Sequence, residues 1–161
     1  MKIADIKPII LPTKIKQVDE HLYRGTAVFS PIKAYKIKKR GITQIIDLRH
    51  ENNIFARSFR NLENLYCKLL KIKYVKKSFY TNKKEQLPNK DYFDDLIKQI
   101  DSSKKTYIHC HFGKHRTGFA VAMYQKDKGV SKDEIIKQLL NCKWDTTNQR
   151  YNLINFLENF L

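Results

Sequence analysis

Cysteine, glycine, proline and tryptophan are all scarce in this chain, at 3, 5, 4 and 1 in 161 residues. Cys67, Cys110 and Cys142 are odd in number and irregularly spaced, which excludes a disulfide framework and suits a reducing compartment. No apolar run approaches the ~20 residues that cross a bilayer. Between Met1 and Lys16 the only apolar run is Ile9–Ile10–Leu11, held between Pro8 and Pro12. That is too short for the core of a signal peptide, so the expectation is a cytoplasmic protein with no membrane span. Acidic residues are also in short supply: 16 Asp+Glu stand against 32 Lys+Arg, a net charge of +16. Such a charge draws polyanions of several kinds, namely phosphorylated small molecules, phosphoproteins, nucleic acid or acidic membrane surfaces. It does not choose among them, and a lysine-rich solvated surface is the plain alternative.

What is present fits one folded domain over residues 1–161, with 42% hydrophobic and 30% charged residues. No internal repeat, low-complexity tract or linker divides it. Residues 1–20 read as an N-terminal extension. His21–Arg24 and Ala27–Phe29 read as short strands around Gly25. Ser30–Pro31 opens a helix that Gly41 ends. Ile42–Leu48 and Ile72–Phe79 have the apolar, β-branched character of strands. A helix is expected over about Ala56–Lys71, burying Phe59, Leu62, Tyr66 and Leu69. Tyr80–Pro88 is a polar loop. Asn89–Ile100 is a helix with Tyr92, Phe93, Leu96, Ile97 and Ile100 inward. Thr106–His109 is a strand, and Thr117–Lys128 a helix. Ser131 and Glu134 form a capping box for a helix to about Cys142, and Thr147–Phe160 is a last helix. Strands alternating with helices predict an α/β layered domain.

The chemistry is concentrated in Tyr107–Gly118, YIHCHFGKHRTG. Arg116 follows Cys110 by six positions, in a loop between a strand and a helix. Hydrolysis of a phosphate ester through a phosphocysteine needs a thiolate. It needs donors for three phosphoryl oxygens, which backbone N–H groups at a helix N-terminus supply. It also needs a planar, two-pronged cation, which arginine provides and lysine does not. Five intervening residues let the chain wrap one phosphate and return Arg116 to it. His111, Phe112, Gly113, Lys114, His115 and Arg116 are the expected phosphate-binding residues, with Lys114 and His115 toward the rim. Thr117 is placed to donate its hydroxyl to the sulfur. His109 points away and braces the loop. The bare Cys-x5-Arg spacing arises by chance in roughly one sequence of this composition in eight, so the flanking His109, Gly113 and Thr117–Gly118 carry the specificity. Two readings compete with the phosphate loop. One is a core cysteine beside a surface arginine. The other is a metal held by His109, Cys110, His111 and His115, and adjacent residues converge poorly on one ion.

HCHFGKHRTG resembles the signature loop of the cysteine-dependent protein tyrosine and dual-specificity phosphatases. LYRG at Leu22–Gly25 and IIDLR at Ile45–Arg49 extend the likeness to the small atypical members from bacteria, plants and fungi. The resemblance implies a single domain with a central, mostly parallel sheet of four or five strands flanked by helices. It implies a phosphocysteine mechanism with Cys110, Arg116 and Thr117 in the roles above, and no cofactor or metal. Many members protonate the leaving oxygen with an aspartate on the loop before the helix that precedes the catalytic strand. Here that loop, Tyr80–Pro88, has no aspartate. Glu85 is its only carboxylate and the first candidate for the acid, with Asp91 the second.

The missing aspartate bears on substrate. An alkyl or aryl oxygen leaves poorly without a proton, whereas phosphate leaves readily from an anhydride. The gap and the positive charge together suit a phosphoanhydride or a highly phosphorylated substrate. The resemblance supplies the candidates, inositol polyphosphates or pyrophosphates through the plant and fungal members and the 5′-triphosphate end of RNA through other relatives, beside a phosphoprotein. A catalytically weak phosphate-binding module and a nucleic-acid partner using the positive charge also remain, although no nucleic-acid motif supports the latter. Asp47 and Arg49 are expected to pair at a strand end or to brace the site. Arg57 and Arg60 either extend an anion surface or, as the favoured reading, belong to an exposed helical face, and Cys67 reads as core.

Overall fold

The computed structural model describes residues 14–50, 54–79, 88–141 and 160–161, with the backbone alone for 54–56. Five strands and five helices alternate along these residues: β1 Ile15–Gln17, β2 Leu22–Gly25, α1 Pro31–Lys39, β3 Gln44–Asp47, α2 Ile54–Leu69, β4 Lys73–Lys76, α3 Lys90–Asp101, β5 Thr106–His109, α4 His115–Asp127 and α5 Lys132–Asn141. They form a single α/β domain around one sheet of order β1-β2-β5-β3-β4. The β2, β5, β3 and β4 strands run parallel, and β1 is antiparallel at the edge. The expected N-terminal extension thus contributes a strand from Ile15 onward. Ala27–Phe29, expected as a strand, carries none.

Alternation along each strand sends neighbouring residues to opposite faces. Ile46, Ile108 and Leu22 face a core built with Phe93, Leu96, Phe119 and Tyr124 of α3 and α4. Ile45, Tyr107 and Tyr23 face a smaller core with Ala34, Ile37 and Cys67 of α1 and α2. The central strand β5 is buried at all four positions. Its C-terminal end opens where connections leave toward both faces, the place where ligands bind in open α/β sheets.

Local sequence explains most boundaries. Ser30 accepts from the Lys33 amide and Pro31 fills the first turn of α1. Asn89 caps α3 by accepting from the Tyr92 amide at 3.0 Å. Ser131 accepts from the Glu134 amide at 3.4 Å, half of the expected capping box. The Glu134 carboxylate turns instead to the Gln138 amide.

The α2 helix departs from expectation. Phe59, Leu62 and Leu69 were expected to face the core, and they are exposed, as is Leu65. Arg60, expected on an exposed face, is 3% exposed, and Glu63 is wholly buried. Arg57 is exposed as expected, and Cys67 lies in the core. The cause is a set of buried charges at the end of β3 that demands charged partners from the helix lying over it, and the helix turns its polar face inward to supply them. The expected last helix, apart from Phe160, lies outside the described residues, as do Trp144, Cys142 and Glu85.

Candidate active site

Cys110 follows β5 directly and is buried, 4% exposed. Residues 110–114 turn over into α4, whose first residue is His115. The loop's carbonyls are drawn outward. The His109 ring Nδ1 lies 3.1 Å from the Cys110 carbonyl. The Ala27 amide donates to the His111 carbonyl at 3.2 Å, and the Gly118 amide to that of Lys114 at 2.7 Å. The Arg24 guanidinium donates to the Gly113 carbonyl at 2.9 Å. In a trans peptide the C=O and the next N–H point opposite ways, and no cis bond occurs among the described residues. The amides of His111, Phe112, Lys114 and His115 therefore turn to the inner side of the loop. No side chain caps the start of α4, so its dipole also faces this cup.

Gly113 holds φ +68°, and a Cβ there would fall 2.3 Å from the Gly25 carbonyl oxygen. A Cβ on Gly25 would collide with the Lys14 carbonyl and the Tyr107 hydroxyl. The glycines of LYRG and of the loop thus lie back to back, which explains why both are glycine.

Arg116 is half-buried, and its Nη1 donates to the Leu48 carbonyl at 3.3 Å. The guanidinium is thus turned back to the end of β3. Thr117 is fully buried, and its hydroxyl has no hydrogen-bond partner among the described residues. Lys114 and His115 are half-buried at the helix start, while Phe112 stands 66% exposed. Edge-on ring contacts run from Phe112 to His111 to Phe29, at centroid separations of 4.5 and 5.3 Å. Burial, and then the charges of Arg49, Arg116 and His109, hold the His111 imidazole below its ordinary pKa.

Beneath the loop lies a buried ion network. Asp47 accepts from the Arg49 amide and guanidinium, from Arg60 Nε at 2.9 Å and from the Tyr74 hydroxyl at 2.6 Å. Arg49 also pairs with Glu63, and Arg60 donates to the Arg49 carbonyl. Burial pushes the Asp47 carboxyl up, but His109, Arg49 and Tyr74 outweigh it and hold it well below the carboxylate range. Glu63 Oε1 sits 2.8 Å from His109 Nε2, a close contact without the alignment of a hydrogen bond. The pairing of Asp47 with Arg49 follows the sequence reading. Glu63, Arg60 and Arg24 complete the site's support, and sequence reasoning missed them. A charged pair three residues apart on the Cys67 face of α2 was the available signal.

Asp47, Glu63 and His109 bring donor atoms within 4.8 Å of one another. They do not fit a metal ion, because two guanidinium groups already occupy the carboxylates and would repel a cation. Asp91 is exposed in the first turn of α3, beside the helix dipole.

The family model described as the tyrosine phosphatase family matches residues 13–153. The chain belongs to the tyrosine phosphatase family. Its enzymes are phosphoric monoester hydrolases, so this member is a phosphatase. No curated protein matches it by sequence. Among solved structures, this phosphatase resembles the core catalytic domain of the PP-IP phosphatase Siw14 from S. cerevisiae, in complex with citrate. The two are 19% identical with a TM-score of 0.65, over 91% of this chain and 85% of that one. TpbA from P. aeruginosa, solved with pTyr, matches at 12% identity and TM-score 0.68, over 92% and 90%. Kinase-associated phosphatase carrying a serine for its catalytic-site cysteine matches at 18% and 0.63, over 81% and 74%. At these identities the likeness concerns the fold.

Proposed function

We propose that this phosphatase hydrolyses phosphate monoesters through a phosphocysteine on Cys110. The supporting observation is the outward pull on the loop carbonyls, which turns amides inward in the segment that joins the buried Cys110 to Arg116. In the first step the Cys110 thiolate attacks phosphorus, an S–P bond forms, and the P–O bond to the leaving group breaks. The leaving oxygen takes a proton from a general acid. Glu85 is the first candidate and Asp91 the second. In the second step water gives a proton to the carboxylate left by that acid and attacks phosphorus, the S–P bond breaks with the sulfur leaving as thiolate, and phosphate leaves. Arg116 and the amides of residues 111–116 hold the equatorial oxygens, where charge accumulates. The unpartnered Thr117 hydroxyl is a donor for the departing sulfur. His109, Asp47 and Arg49 position the loop from beneath.

The substrate class follows from the rim. Phe112, exposed at the mouth, offers a ring face to an aryl or peptide group, which favours a phosphotyrosine or dual-specificity protein substrate. The net charge of +16, with Lys114 and His115 at the helix start, favours a polyphosphorylated substrate as the second reading: an inositol polyphosphate or pyrophosphate, or a 5′-triphosphate RNA end. Wild type and Cys110→Ser should be assayed on phosphotyrosine and phosphothreonine peptides, inositol pyrophosphate and triphosphate RNA. The serine variant is expected to lose roughly 10³-fold or more on whichever substrate turns over, because the nucleophile is gone. A folded wild type that binds these ligands tightly and hydrolyses none would make the loop a recognition module instead.

A further inference from the structure

Helix α2 exposes its apolar face. Phe59, Leu62, Leu65 and Leu69 stand 45–73% exposed, while Arg60, Glu63 and Cys67 face inward. Their spacing of three, three and four residues sets the exposed side chains along one side of the helix. The result is a ridge about 15 Å long. Scattered apolar residues on a surface are ordinary, whereas a continuous ridge at helical spacing marks an interaction site. The ridge begins near the phosphate cup, because the Phe59 ring meets Phe29 edge-on at 5.6 Å and Phe29 in turn meets His111 of the loop. The same helix carries the exposed cations Arg57 and Lys68, and the neighbouring α1 carries Lys36 and Lys39.

We propose that this ridge docks the enzyme on an anionic lipid bilayer. Charge sets the sign of the partner, since +16 on the chain attracts an acidic surface and opposes a second copy carrying the same charge. Area also opposes a dimer. A ridge one helix wide and about 15 Å long falls far short of the roughly 800 Å² per partner in a stable interface. Shape selects lipid over an acidic protein. The ridge is convex, so a protein partner would have to supply a matching groove, whereas the headgroup boundary yields to inserted Phe and Leu side chains. The lysine and arginine of the same helix then meet acidic headgroups. Docked this way, the cup lies near the membrane plane, within reach of phosphate groups carried there.

The test uses the full chain in co-sedimentation with vesicles of phosphatidylcholine alone or with added phosphatidylserine. Binding is expected to the phosphatidylserine vesicles, and to weaken as salt rises. Replacing two exposed leucines without changing charge, as Leu62→Gln with Leu65→Gln, should weaken it about tenfold or more. Turnover of a soluble aryl phosphate by the double variant should match wild type, which verifies the fold. The proposal is overturned if wild type ignores the acidic vesicles, or if the double variant binds them as well as wild type does. A dimer in light scattering that the double variant loses would also overturn it, since a second copy would then cover the ridge.

Discussion

The phosphate cup depends on small geometric facts about single residues. One guanidinium nitrogen of Arg116 donates to the Leu48 carbonyl, and in the proposed mechanism the rest of the fork takes phosphoryl oxygens. Arg116→Lys keeps the charge but loses the fork. Turnover should fall by about 10²-fold or more, with stability nearly unchanged. Equal activity of the lysine variant in steady-state assays would mean that only charge matters there. Lys33 tests a different property of a buried charge. Its ammonium is 3% exposed and is held by the Thr26 and Ala27 carbonyls and the Thr26 hydroxyl. Burial brings its pKa down to about 8, opposed in part by Glu63. From there up to the unfolded value of about 10.4 the unfolded chain binds more protons than the folded one, so stability rises with pH in that window. Below about 8 the cost of burying the charge is present in full. The urea midpoint of wild type should therefore gain on that of Lys33→Met between about pH 7.5 and about pH 9.5. A constant gap between the two would mean that the ammonium sheds no proton on folding.

At the scale of elements, β3, α2 and β5 are joined by buried charge rather than by oil. Asp47 ends β3, Arg60 and Glu63 lie on α2, and His109 ends β5. Removing one member leaves its neighbours buried with their charge less fully compensated. Glu63→Ala should cost about 3–5 kcal/mol in denaturant unfolding, since Arg49 is left with Asp47 as its one carboxylate partner in this network and His109 Nε2 loses the carboxylate beside it. Leu62→Ala, on the exposed side of the same helix, should cost less than about 1 kcal/mol. The reverse ranking would mean that α2 is rotated from the orientation described. This helix is also where the sequence was hardest to read. The motif loop's place between a strand and a helix, β5, the cap of α1 and the inward face of α3 were legible, because each is set by residues close together in the chain. The face that α2 buries depends on charges at the end of another strand, so its apolar periodicity pointed the wrong way. Thr106–His109 could be placed from its own pattern, but its central position in the sheet rests on pairing with β2 and β3. Arg24 and Gly25 likewise acquire their roles only when β2 meets the loop at Gly113.

For the whole molecule, the unsettled quantity is what the charge of +16 does for catalysis. Exposed lysines act at a distance, and salt shortens that distance from about 10 Å at 0.1 M to about 3 Å at 1 M. In the proposed mechanism the cup acts at contact, through amides and a half-buried guanidinium, where salt screens little. The two contributions should therefore separate in steady-state kinetics. Raising ionic strength should raise KM and leave kcat nearly constant. The rise should be small for a phosphotyrosine peptide with few other charges and several-fold or more for a substrate bearing many phosphates. The comparison also orders the substrates. If KM for the polyphosphorylated compound is the lower of the two at low salt and crosses above that of the peptide as salt rises, the surface charge gathers substrate. If both KM values stay flat, the lysines are surface composition, and selectivity belongs to the contacts made by Phe112, Lys114 and His115 at the mouth.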